Sequence, residues 1–186
     1  MFQPTQILRD EHDVILRGLE ILESYAEKMK DGENASPDSL EKLIEFFRLY
    51  ADKTHHGKEE ALLFPAMVAR GFSYESGPIH CMISDHEQNR VLTRQMVEAI
   101  AAMRSGVQSA NMRFAEAAER YVNGLREHIQ KENLVLFNMA EQVLPPAEEP
   151  EMMAKFEHVD RNEIGEAEIR RLIAILDTLQ VAVPAV

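Results

Sequence analysis

Two near-copies of one short motif constrain this chain more than any other feature. His55 opens His-His-Gly-Lys-Glu-Glu-Ala-Leu-Leu-Phe (55–64), and His128 opens His-Ile-Gln-Lys-Glu-Asn-Leu-Val-Leu-Phe (128–137). Both read H-x-x-x-E-x-x-x-x-F, with a lysine before the glutamate. A helix stacks residues i and i+4 on one face, so each copy sends an imidazole and a carboxylate toward the same point. Imidazole nitrogen combined with carboxylate oxygen suits a first-row metal such as iron, manganese or zinc.

The surrounding pattern is helical almost throughout. Leu8, His12, Ile15, Leu19, Leu22, Ala26 and Met29 recur at spacings of three and four, predicting a helix over about 5–30 that buries one seam. Ser36-Pro37 opens a second helix to about Ala69, with Pro65 expected to bend or end it. Pro78 starts a third, carrying His86 and running to about Arg104. A fourth spans about 111–143 and stops at Pro145-Pro146. A last amphipathic segment, about 151–179, places Ile164, Leu172, Ile173, Leu176 and Leu179 on one side. No useful strand pattern occurs. The predicted fold is all-α, an antiparallel up-down-up-down four-helix bundle with an additional C-terminal helix. Residues 1–145 would form the bundle, and 146–186 an extension packing on it and offering a candidate homodimer contact.

Charge and composition narrow the partners. The net charge is −12, which repels nucleic-acid phosphates and anionic membrane surfaces. One cysteine, Cys81, excludes an internal disulfide and suits a reducing compartment; it is expected to be buried. No basic patch followed by an apolar run occupies Met1 to Asp13, and no stretch approaches the roughly 18 apolar residues of a membrane span. A cytoplasmic location is expected.

At about 100° per residue, His12 falls on the apolar seam of its helix. His86 lies with Thr93, Val97 and Ile100, and His128 and Glu132 share the face of Phe114, Tyr121, Leu125, Val135 and Met139. The second helix offers two pairs, His55/Glu59 and His56/Glu60. Its stripe (Leu40, Leu43, Ile44, Phe47, Ala51, Leu62) favours His55 and Glu59 and lies nearly opposite His56, leaving His56 and Glu60 as an exposed or supporting pair. A lone inward histidine is ordinarily a hydrogen-bonded core residue. Four helices each sending one inward, with two carboxylates and no inward lysine evident, is a different case. Unpaired buried carboxylates would cost several kcal/mol each, and a multivalent cation removes that cost. The metal-ligand set is therefore His12, His55, Glu59, His86, His128 and Glu132.

That set resembles the hemerythrin-like family, the HHE cation-binding domain, over about residues 5–140. Local likeness extends to His55–Pro65 and to Gly77-Pro78-Ile79 ahead of Asp85-His86-Glu87. The resemblance implies two non-haem irons with an oxo or hydroxo bridge, Glu59 and Glu132 spanning them and the histidines as terminal ligands; manganese or zinc are the alternatives. Two positions depart from the oxygen carriers' pattern. Arg90 stands where they place a further histidine, and Asn133 where they place an aspartate. Arginine cannot ligate, so the resemblance implies a more open site, with His80 as a fallback ligand.

The implied partner is a small diatomic ligand or peroxide. Three functions compete: a protein binding or sensing oxygen, nitric oxide or iron; an enzyme turning over peroxide or nitric oxide; and a metal-free helical interaction protein. A ferritin-like oxidase would need glutamates three residues before its histidines, where this chain has Arg9, Asp52, Ile83 and Leu125. No His-Glu-x-x-His of a zinc hydrolase occurs.

Overall fold

The structure, a computed structural model, describes residues 2–182. Six helices account for most of them, and no strand occurs among the described residues. They are α1 (Gln3–Lys30), α2 (37–68), α3 (Gly77–Arg104), α4 (110–143), α5 (149–164) and α6 (Glu166–Ala182). No described helix is long and apolar enough to cross a membrane.

Local chemistry explains the boundaries. α1 ends where Gly32 takes φ +89°, letting the amide of Glu33 reach back to the Lys28 carbonyl. Pro37 opens α2 at a position whose N–H has no helical partner anyway. Pro65 neither ends nor breaks α2, which continues to Val68. Its ring follows a π-helical turn, Glu59–Leu63, and a widened turn leaves room beside the carbonyls that a proline would otherwise strike. The single C-terminal helix expected from periodicity is two helices, because Gly165 at φ +93° separates α5 from α6.

α1 and α3 keep a strict alternation of three and four. The central buried seam runs through 8, 12, 15, 19, 22, 26 and 29 on the first, flanked by further buried residues such as Ile21 and Tyr25, and through 79, 82, 86, 89, 93, 96 and 100 on the second, flanked by Leu92 and Ala99. Such a seven-residue repeat drifts about 20° per heptad against a straight helix. The drift corrects the reading of Val97, which faces outward while Met96 takes its place in the core. α4 follows the same alternation through 114, 118, 121, 125, 128 and 132, then gains one residue at a π-turn, Glu132–Leu136. Val135 and Met139 are consequently exposed, and Leu136 and Ala140 are buried in their stead. Cys81 is also exposed rather than buried.

α1 packs against α4, α4 against α3, α3 against α2 and α2 against α1. The apolar interior is divided into two clusters. One contains Ile15, Leu19, Phe46, Phe47, Met96, Phe114, Tyr121 and Leu125; the other contains Leu8, Leu63, Phe64, Met67, Ile79, Met82, Leu136 and Phe137. Each of the first four helices passes from one cluster to the other through its histidine-bearing turn. The extension joins both, α5 through Met152 and Phe156, and α6 through Leu172, Ile175, Leu176 and Leu179.

Candidate metal centre

Between the two apolar clusters lies a polar level with almost no solvent contact. His12, His55, Glu59, His86, His128 and Glu132 all meet there, each at most 1% exposed. His56, expected nearly opposite the buried stripe, is equally buried and belongs to the same cluster. The cause is a π-helical stretch, Phe47–His56. The amide of Gly57 bonds to the Asp52 carbonyl five residues back, and the Thr54 hydroxyl to that of Leu49. More residues per turn mean a smaller angular step, so neighbouring His55 and His56 both turn inward.

Two groups of ligand-type atoms result, each within a 4.8 Å span. One comprises His12, His55, Glu59 and Glu132, the other His56, Glu59, His86 and His128. Glu59 belongs to both. Glu132 also reaches both sides, its Oε2 lying 3.1 Å from His12 Nε2 and 3.2 Å from His128 Nε2. These approaches lack hydrogen-bond alignment. All four carboxylate oxygens of Glu59 and Glu132 are buried without a hydrogen-bond partner, as are Nε2 of His12, His55 and His56. Buried polar atoms are ordinarily satisfied, so seven orphaned atoms facing one another fit the donor set of bound cations.

The other nitrogen of each ring is held from behind. His12 Nδ1 lies 2.9 Å from Asn133 Oδ1, His55 Nδ1 2.9 Å from Glu11 Oε2 and His86 Nδ1 2.6 Å from Glu60 Oε1. His56 Nδ1 lies 3.4 Å from Asp52, while His128 Nδ1 approaches Asp85 only to ion-pair distance, 3.5 Å, without a hydrogen bond. An acceptor at Nδ1 places that ring's proton there and leaves Nε2 as a lone pair for the centre. Arg90 occupies the edge as a brace. It donates to Asp52, Glu60 and Glu87, each at 2.8 Å, and so holds the acids behind His56 and His86. His80 is exposed and bonded to the Tyr74 carbonyl, away from the centre.

Lys58 corrects a second expectation, that no lysine points inward. It is wholly buried, 2.5 Å from Glu11 and 2.6 Å from Asp160 on α5. Its partner Glu11 is the acid behind His55. The corresponding lysine of the other motif copy, Lys131, lies outside and pairs with Asp85. His158 is exposed and bonded to Asn162; Asp160, two residues on, makes the extension's link to the centre.

Burial pushes His55, His56 and His86 below the usual imidazole range. It acts the same way on His128, but the charges of Glu132 and Asp85 outweigh it and lift that group to about 9. Burial, with Glu132 beside it, raises Glu59 well above a normal carboxylate. Glu132 is held low because His128 and His12 overcome its burial. In the metal-free protein His128 thus keeps a proton above its ordinary range, and that contribution to folding is complete below about 6.5 and lost as pH rises through 9. A cation must displace this proton. Metal titration in weak buffer should therefore release protons, and apparent affinity should climb with pH toward 9; pH-independent affinity would contradict this.

A helical protein with a buried His/carboxylate cluster that could hold metal is the class these features define. The chain belongs to the hemerythrin HHE cation-binding domain family, which matches residues 3–140. An uncharacterized protein of Mycobacterium tuberculosis and one of Mycobacterium bovis are each 23% identical to it over 170 residues, 91% of this chain. The chain spans 66% of the length of these curated relatives. No solved structure matches it.

Proposed function

We propose that the protein is a non-haem di-iron protein that binds or senses a small diatomic ligand, oxygen or nitric oxide. The observation that carries this reading is the convergence of five imidazoles on two buried carboxylates whose oxygens have no other partner. The first four helices are read as an antiparallel up-down-up-down bundle, since each successive helix crosses the two apolar clusters in the opposite sense to the one before.

Glu59 and Glu132 would bridge the two ions. His56, His86 and His128 would complete one, and His12 and His55 the other. His56 would supply the imidazole that Arg90 cannot, so His12 and His55 would offer one seat two imidazoles, against three for the other. Bound iron would supply redox chemistry and an exchangeable position for the small ligand. The chain's own part is to aim the Nε2 atoms, neutralise charge and exclude water. Phe137, stacked on His12 with ring centroids 5.5 Å apart, seals that side.

Metal analysis with an optical spectrum, on protein purified under low oxygen, tests this. Two irons per chain and a spectrum that changes reversibly with the gas are expected, with His12→Ala removing the gas response more completely than His80→Ala. Protein purified without stoichiometric metal, and unable to take it up, would overturn the reading. Steady consumption of peroxide would replace a carrier or sensor by an enzyme.

A further inference from the structure

A cavity of about 270 Å³ lies beside the metal centre, between α2 and α3 and against Tyr121 of α4. Of the candidate metal ligands, His56 alone lines it. Asn89, Thr93 and Tyr121 complete the buried part of the lining. Two arginines, Arg48 and Arg94, stand exposed at its mouth.

The lining is unusually rich in donors for a chain of net charge −12. Its one carboxylate, Asp52, is already engaged by Arg90 and His56. Neither Arg48 nor Arg94 has an ion-pair partner among the described residues. Deeper in, Asn89 is 5% exposed and its Nδ2 is buried without a hydrogen-bond partner. A buried amide that donates to nothing burdens the fold unless something in the cavity accepts from it. Two unpaired guanidiniums and an unpaired amide around one small cavity define an acceptor-shaped vacancy.

We propose that this cavity binds a small oxyanion, a carboxylate or an inorganic oxyanion, held by donors that are not metal ligands. The guanidiniums of Arg48 and Arg94 draw the anion in and Asn89 Nδ2 donates to one of its oxygens. Planar forks match oxyanion geometry better than point charges do. The volume is below the ~300–1,000 Å³ of sites for drug-sized ligands, so the occupant has only a few heavy atoms. A bound anion would sit one side chain from the metals, against His56 and the Arg90 brace. The site does not depend on the di-iron reading, because every donor invoked is present whether or not a metal is held.

The test is a titration of isotope-labelled protein, metal-free and zinc-loaded, with acetate and separately with inorganic phosphate at constant ionic strength. The side-chain N–H resonances of Arg48, Arg94 and Asn89 are followed by nuclear magnetic resonance. Saturable shifts at these groups in both metal forms are expected, with affinity falling about tenfold or more in Arg48→Gln/Arg94→Gln, since a charge-assisted bond is worth about 1.5–3 kcal/mol. Both replaced side chains are exposed, and unchanged helicity by circular dichroism confirms that the variant is folded. A response to acetate alone makes the site a carboxylate site, and one to phosphate alone an inorganic-anion site. No saturable shift with either anion overturns the proposal. So does binding seen only in zinc-loaded protein and unaltered by the double substitution, which would place the anion on the metal.

Discussion

Stripping the metal with a chelator should lower the melting temperature by roughly 8–16 °C. A ligand present at about a thousand times its dissociation constant stabilises the fold by about 4 kcal/mol. For a chain of this size each kcal/mol moves the midpoint about 2–4 °C. The structure accounts for an effect of that size. Without cations, two carboxylates and five imidazoles fill a dry level between two apolar clusters. The metal-free chain eases the conflict by protonating His128 and raising Glu59, but seven polar atoms there still lack hydrogen bonds. Scanning calorimetry of stripped and reloaded protein measures the difference. An unchanged midpoint after complete removal would mean that the level is stable by itself and is not a metal centre.

Lys58→Met should destabilise the protein by about 3 kcal/mol, the lower end of what breaking a buried pair costs. Methionine keeps most of the stem's packing, so the loss reports the charge. Lys58 is the common partner of Glu11 and Asp160, whose side chains retain 13% and 30% exposure, and that access to solvent moderates the effect. Burial raises both acids above their ordinary range even with the lysine present. An acid with a raised folded pKa favours the fold below its unfolded pKa, and that benefit disappears as pH rises through the folded value. Removing the lysine sharpens this, so the variant's deficit should be small near pH 4 and grow toward pH 8. Denaturant melts at the two pH values check it; a deficit that is the same at both would mean lost packing alone.

The helices were legible because their apolar residues repeat every three or four positions with proline and glycine between. His12, His86 and His128 sit on that repeat, and the structure brings them together with His55, Glu59 and Glu132. His56 was not legible, because a fixed step of about 100° per residue turns it outward and only the π-helical winding of Phe47–His56 turns it back. The same cause misplaced Val135 and Met139 after Glu132. Nothing local marks such turns, which arise where tertiary contacts outweigh ideal winding. Lys58 was hidden differently. Its partner Asp160 lies roughly a hundred positions away, on a helix of the C-terminal extension, and no local pattern around Lys58 points to it. The lysine shared by the two motif copies was a visible clue, yet Lys131 shows that one copy uses it on the surface.

His55 and His56 are joined by one peptide unit yet face different cation seats. If both seats were filled, their backbone step would act as a ruler set between the two ions. An ion of the wrong radius in one seat would tug on the neighbouring residue and so detune the other, without any rearrangement of the surrounding helices. Discrimination among metals in this protein would then be a property of the pair, exercised through a few ångströms of overwide helix.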